Sequence, residues 1–103
     1  MRALAIAAVV GLACSGAERS AAERGRLVYQ QACISCHNPD PARDGGVGPA
    51  VANSSPELVT ARVLWGEYPA GYVPKRDSKL MPPQPYLERE LPDLIAYLAE
   101  TPK

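Results

Sequence analysis

Five consecutive residues, Cys33-Ile34-Ser35-Cys36-His37, set two thiols three positions apart and follow the second directly with an imidazole. On the last turn of a helix, thiols at that spacing can each form a thioether with one vinyl group of a porphyrin. The adjacent imidazole then reaches the metal from the same side. C-x-x-C-H is the attachment pattern of c-type haem, and an imidazole is a suitable axial ligand for iron. Other readings of these residues are weaker. A redox-active Cys-x-x-Cys needs a βαβ setting, and nothing here alternates strands with helices. A zinc site built from Cys14, Cys33, Cys36 and His37 would use adjacent positions 36 and 37, against the usual ligand spacing, and would need Cys14 retained. A Cys33–Cys36 disulfide would close too short a loop to constrain the unfolded chain.

An iron held by His37 needs a sixth ligand or keeps an open position. His37 is the sole histidine, so two imidazoles from one chain are excluded. With Met1 removed in a leader, Met81 is the one remaining methionine, 44 residues after His37 in Leu80-Met81-Pro82-Pro83. A thioether is a soft, neutral ligand, and Met/His ligation raises the haem potential. Flanking prolines stiffen the loop and lower the entropy lost in pointing Met81 inward. The alternative role for Met81 is that of a flexible gap-filler beside the haem.

These residues must be positioned by short elements. Ser20-Ala21-Ala22-Glu23 has the capping-box pattern and predicts a helix from about Ala21 to Cys33. Its buried face is Gly25, Val28, Tyr29 and Ala32, at spacings of three and four. A glycine inside a helix costs about 1 kcal/mol relative to alanine, so Gly25 points to the close approach of another helix. Residues 38–52 hold Pro39, Pro41, Gly45, Gly46, Gly48 and Pro49 and read as a loop. Ser55 as N-cap and Pro56 at the first helical position open a second helix, which should run to Trp65 and stop at Gly66. Leu58, Ala61 and Trp65, with Val59 and Val63 nearby, offer it an apolar surface for cofactor or core. Glu67 to Pro85 carries five prolines and no helical period, a long loop around Met81. A last helix spans about Leu91 to Glu100, with Pro92 in its first turn and Leu91, Leu94, Ile95 and Leu98 as its stripe.

Composition bounds the rest. The 103 residues allow one domain, and eleven basic against eleven acidic side chains lack the basic footprint of a nucleic-acid binder. Eleven prolines are about twice the usual share of roughly 5%, and the absence of Phe leaves little material for a core. Residues 1–17 have the charged start and apolar run of an export signal, too short to span a bilayer at roughly 20 apolar residues. Gly11-Leu12-Ala13-Cys14 also resembles a lipobox, which would make Cys14 a lipid anchor and the protein's one link to a membrane. The domain proper is then 18–103, close to the size at which small folds need a staple or cofactor.

Taken together, Cys33-x-x-Cys36-His37 and Met81, within about Ala21 to Thr101, resemble a small monohaem class I c-type cytochrome. The resemblance implies an all-α fold of about three helices and long loops wrapped around one covalent haem c. It implies Cys33 and Cys36 as thioethers, His37 as proximal and Met81 as distal ligand. Gly48-Pro49 is similar to the family's Gly-Pro, whose proline carbonyl accepts the proximal histidine N–H, a bond that orients the ring. Gly25 and Tyr29 facing Tyr97 resemble the crossing of first and last helices. Six-coordinate iron has no free position for a substrate, so the expected role is one-electron transfer, not catalysis, between periplasmic or membrane redox partners such as a dehydrogenase, oxidase or respiratory complex. Lys75, Arg76 and Lys79 near Met81 are candidates for steering an acidic partner, and Arg62 or Trp65 for holding a propionate. The competing functions are a haem sensor or weak peroxidase with a displaceable Met81, and a haem-free zinc or disulfide module.

Overall fold

Short helices carry the molecule, and each starts or stops where the side chains dictate. The computed structural model describes residues 18–100; the expected leader, residues 1–17, and Cys14 lie outside them. Helix α1 runs Ala21–Ala32, with the Ser20 hydroxyl accepting from Glu23 N–H at 3.1 Å. Helix α2 begins as Pro56–Thr60, where the Ser55 side chain accepts from Leu58 N–H. It continues as a π-helical turn, Ala61–Trp65, and ends at Gly66 in the left-handed region, φ 67°. Helix α3 is Leu91–Glu100, entered from a 3-10 turn, Pro85–Glu90. No strand occurs among the described residues. The fold is the small all-α arrangement expected for a c-type cytochrome.

Two local features differ from the expected course. The 3-10 turn occupies residues that come after the proline-rich loop without a 3.6-residue period, because 3-10 geometry repeats every three residues. Trp65 is not part of the buried stripe: it is 60% exposed, while Val59, Ala61 and Val63 are buried. An α-helix from Leu58 would bring Trp65 to the same face two turns on. The π turn closes through longer rings and holds an extra residue, and one added residue rotates the side chains beyond it by roughly 100°.

Helices α1 and α3 cross at Gly25. A Cβ there would stand 1.9 Å from the Asp93 carbonyl oxygen and 2.8 Å from Tyr97 Cβ, so only hydrogen fits. Beside the crossing, the Tyr29 and Tyr97 rings meet at 5.6 Å, tilted by 50°, a favoured aromatic geometry. On the outside, Arg24 pairs with both carboxylate oxygens of Asp93 at 3.1 and 3.2 Å. Leu91, Leu94 and Leu98 of α3 then join Tyr29, Val59, Val63 and Leu87 in one buried cluster. Tyr29, Val59, Val63, Leu94 and Leu98 also line a large cavity, so the core is one wall of that cavity.

Candidate haem site

The C-terminal end of α1 delivers the thiols. Cys33 is the C-cap, its N–H bonded to the Tyr29 carbonyl, and His37 N–H returns to the Cys33 carbonyl at 2.9 Å. One tight turn therefore carries both cysteines and the imidazole. Tyr29, 1% exposed, donates its hydroxyl to the Asn38 carbonyl at 2.6 Å and ties α1 to the residue after His37. Burial holds the Tyr29 phenol above its ordinary range and pushes the Cys33 thiol up to about 11. Cys33 and Cys36 are both free thiols.

The next loop is folded back over the histidine. Gly48 N–H and Val47 N–H both donate to the Cys36 carbonyl, at 2.8 and 3.2 Å. Asp44, though exposed, braces the loop, its side chain accepting from Ala50 N–H and its carbonyl from the Asn38 amide. Gly48 then lies against the imidazole so closely that a Cβ would stand 2.4 Å from His37 Cε1. The Pro49 carbonyl oxygen is 2.8 Å from His37 Nδ1. A carbonyl can only accept, so the proton of the neutral ring sits on Nδ1 and Nε2 keeps its lone pair.

Met81 stands in the loop between α2 and the 3-10 turn, half-buried and packed against the core cluster. It shares with Cys33, Cys36, His37 and Pro49 the walls of one cavity, about 970 Å³ of empty space including its open mouth. All five residues expected at the site thus line the same space, and Trp65 does not. The walls are mostly apolar, and their charged members are Arg62, Lys75 and Arg76, with no Asp or Glu.

This donor set fits a haem. A flat apolar ring needs apolar walls, two vinyl groups need two thiols, and an iron needs an imidazole lone pair. The three cations of the lining, with no acidic residue among the walls, suit a guest with carboxylates of its own. Among the described residues no three His, Cys, Asp or Glu side chains gather as a metal site would require.

Comparison with protein-family models finds a match over residues 20–98 to "Cytochrome C oxidase, cbb3-type, subunit III". The chain belongs to that family. The match includes the thiol–imidazole turn and reaches into α3, so this is a class I c-type cytochrome domain, a family whose members bind haem c and move electrons with it. Comparisons with curated proteins and with solved structures found no match. Among the described residues, no helix of this cytochrome is long and apolar enough to cross a membrane.

Sequence reasoning passes over one part of the lining. Tyr68 and Tyr72 stack at 5.5 Å with planes 10° apart, and the Arg62 guanidinium lies 4.1 Å above the Tyr68 ring. Arg62 also donates to the Gly66 carbonyl at 2.7 Å, so it is anchored across the end of α2. The available signal is two tyrosines four apart in a stretch that otherwise stands out only for its prolines.

Proposed function

We propose that this cytochrome is a one-electron carrier holding a single covalent haem c, with Cys33 and Cys36 as thioethers, His37 and Met81 as axial ligands, and Pro49 fixing the His37 ring. The observation that carries the reading is the contact of His37 Nδ1 with the Pro49 carbonyl at 2.8 Å, beneath the close approach of Gly48. It leaves Nε2 as the only ring nitrogen able to bind a metal. A hydrogen-bonded imidazole is also the stronger donor.

When bound, the haem supplies the Fe(III)/Fe(II) couple. The chain's residues govern that couple without joining the redox change. Cys33 and Cys36 are the thiols that would tether the haem through its vinyl groups, and burial keeps the Cys33 thiol protonated at neutral pH. His37 is prevented from turning by Gly48 below and Pro49 beside it. Met81, in the wall of the same cavity, would be the second residue to hold the iron and would keep water and small molecules from it. One electron enters and one leaves, and no bond to a substrate forms. On the same reading the protein works outside the cytoplasm, after removal of a leader within residues 1–17 or anchoring at Cys14. Its partners would be redox proteins such as a dehydrogenase, an oxidase or a respiratory complex.

The test is spectroscopic. Purified protein should retain its haem through acid-acetone extraction, and a released haem would overturn covalent attachment. The oxidised form should show the weak near-infrared band of His–Met iron. Met81→Ala should abolish that band and lower the potential, since loss of the thioether favours Fe(III). Persistence of both would assign the sixth position to another residue.

A further inference from the structure

Met81 belongs to the loop from Glu67 to Gln84, which has no regular secondary structure. At its ends the main chain is pinned, by Glu67 N–H to the Ala61 carbonyl and Gln84 N–H to the Val63 carbonyl. In between, its main-chain bonds are local, as in Tyr72 N–H to the Pro69 carbonyl. Two neighbouring side chains cross to another part of the molecule. Lys75 Nζ donates to the Ala50 carbonyl at 2.9 Å. Arg76 Nη2 donates to the Gly45 carbonyl at 3.1 Å, with Nη1 3.5 Å from the Gly46 carbonyl. The guanidinium is also 4.0 Å from Asp44 Oδ1, with one third of the side chain exposed.

The acceptors are not scattered. Gly45, Gly46 and Ala50 bracket Gly48-Pro49, the two residues that grip His37. Hydrogen bonds from a charged donor to a carbonyl are stronger than neutral ones, and here three of them join the loop of one ligand to the loop of the other. Lys79, on the same loop, is exposed and makes no such crossing bond among the described residues.

We infer that Lys75 and Arg76 are positioning residues that latch the Met81 loop to the His37 loop and so set how rarely Met81 leaves the iron. This rests on Met81 being the distal ligand. Thioether departure requires the loop to swing outward, and the outward swing must break the crossing bonds first. With the latch cut, the loop stays pinned only at residues 67 and 84, and the open form becomes more populated.

The experiment measures imidazole binding to the oxidised, haem-loaded full chain, whose limiting rate reports the departure of the native ligand. Arg76→Gln combined with Lys75→Gln should keep the near-infrared band at rest and raise that rate about tenfold or more. Arg76→Lys, which keeps the charge but loses the fork, should fall between. Lys79→Gln removes one positive charge from the same loop without touching a crossing bond and should match the parent. A parental rate in the double variant overturns the latch while the band still upholds Met81 as ligand. An equal acceleration by Lys79→Gln also overturns it, because charge alone would then be the cause. A changed potential with an unchanged rate would assign the two cations to the haem carboxylates instead. A parent without the band removes the ligand reading and the latch with it.

Discussion

The loop after His37 and the loop that carries Met81 are both rich in proline, yet they are held in opposite ways. From Cys36 to Ala50 the chain is fixed by its own backbone and by contacts too close for a side chain: two N–H groups share the Cys36 carbonyl, Gly48 abuts the imidazole, and the Pro49 carbonyl takes the ring N–H. From Glu67 to Gln84 the backbone is pinned at the ends, and long side chains make the crossings in between. Main-chain and steric restraints cannot be loosened without displacing the fold, whereas side-chain bonds cost modest free energy to open. The His37 half of the site is held mainly by backbone, with Asp44 and Asn38 side chains bracing it. The half containing Met81, the second ligand of our proposal, is joined to it through side chains.

Substitutions that add or remove single groups break or sharpen this contrast. The largest effect is expected at the crossing that supports the fixed half. Gly25→Val puts branched carbon where Asp93 main chain already lies at 1.9 Å, so the helices must part. Overpacking costs typically about 1–3 kcal/mol, and a backbone clash on both helices should exceed the top of that range. Chemical denaturation should find the variant largely unfolded. Gly48→Ala comes next, at about 1–3 kcal/mol by the same overpacking argument. Its Cβ would strike the His37 ring at 2.4 Å, so the visible signature should be a displaced imidazole and a reduced haem yield.

Tyr29→Phe removes the bond to the Asn38 carbonyl and leaves that acceptor short, at a cost of about 1–2 kcal/mol. It also has a pH signature. Burial raises the folded-state Tyr29 pKa above its ordinary value of 10.0, so the native state holds its proton where the unfolded state has lost it. The contribution is complete below pH 10 and falls as pH rises beyond it. Urea midpoints for the parent should therefore drop between pH 10 and 11, and Tyr29→Phe should drop less steeply. The smallest effect belongs to Gly46→Ala. A Cβ there meets nothing within 4 Å, so the stability should stay within about 0.5 kcal/mol of the parent. Gly46 and Gly48 are two residues apart, and the gap between their variants measures how narrowly the imidazole is gripped.

Much of this is legible in the residue order, because the decisive signals are local. Ser20, Ser55 and Gly66 mark helix ends through bonds to their own neighbours and Pro56 through its fixed φ, and the described helices start and stop there. Gly25 is readable as a crossing point because glycine is costly in a helix unless something comes close, and Asp93 does. The five residues expected to gather at the site line one cavity. The outward position of Trp65 is not legible, because a π turn depends on backbone rings, which leave no mark in the hydrophobic spacing. The partners of Lys75 and Arg76 are equally hidden. Their acceptors are backbone carbonyls 25 to 31 positions away, and a carbonyl has no residue type to recognise.

The meeting of α1 with α3 has a consequence for connectivity. Arg24 and Asp93 are 69 positions apart, so the clasp joins the chain near both ends of the described domain and turns everything between into a ring. Exposed loops are where proteases nick a folded chain most readily, and the stretch near Val73, at 81% exposure, is such a place. A single cut there would open the ring without releasing either piece. The N-terminal fragment would bring the thiols and the imidazole, the C-terminal fragment the thioether, and the interlocked helices would still hold the two halves together as a non-covalent pair.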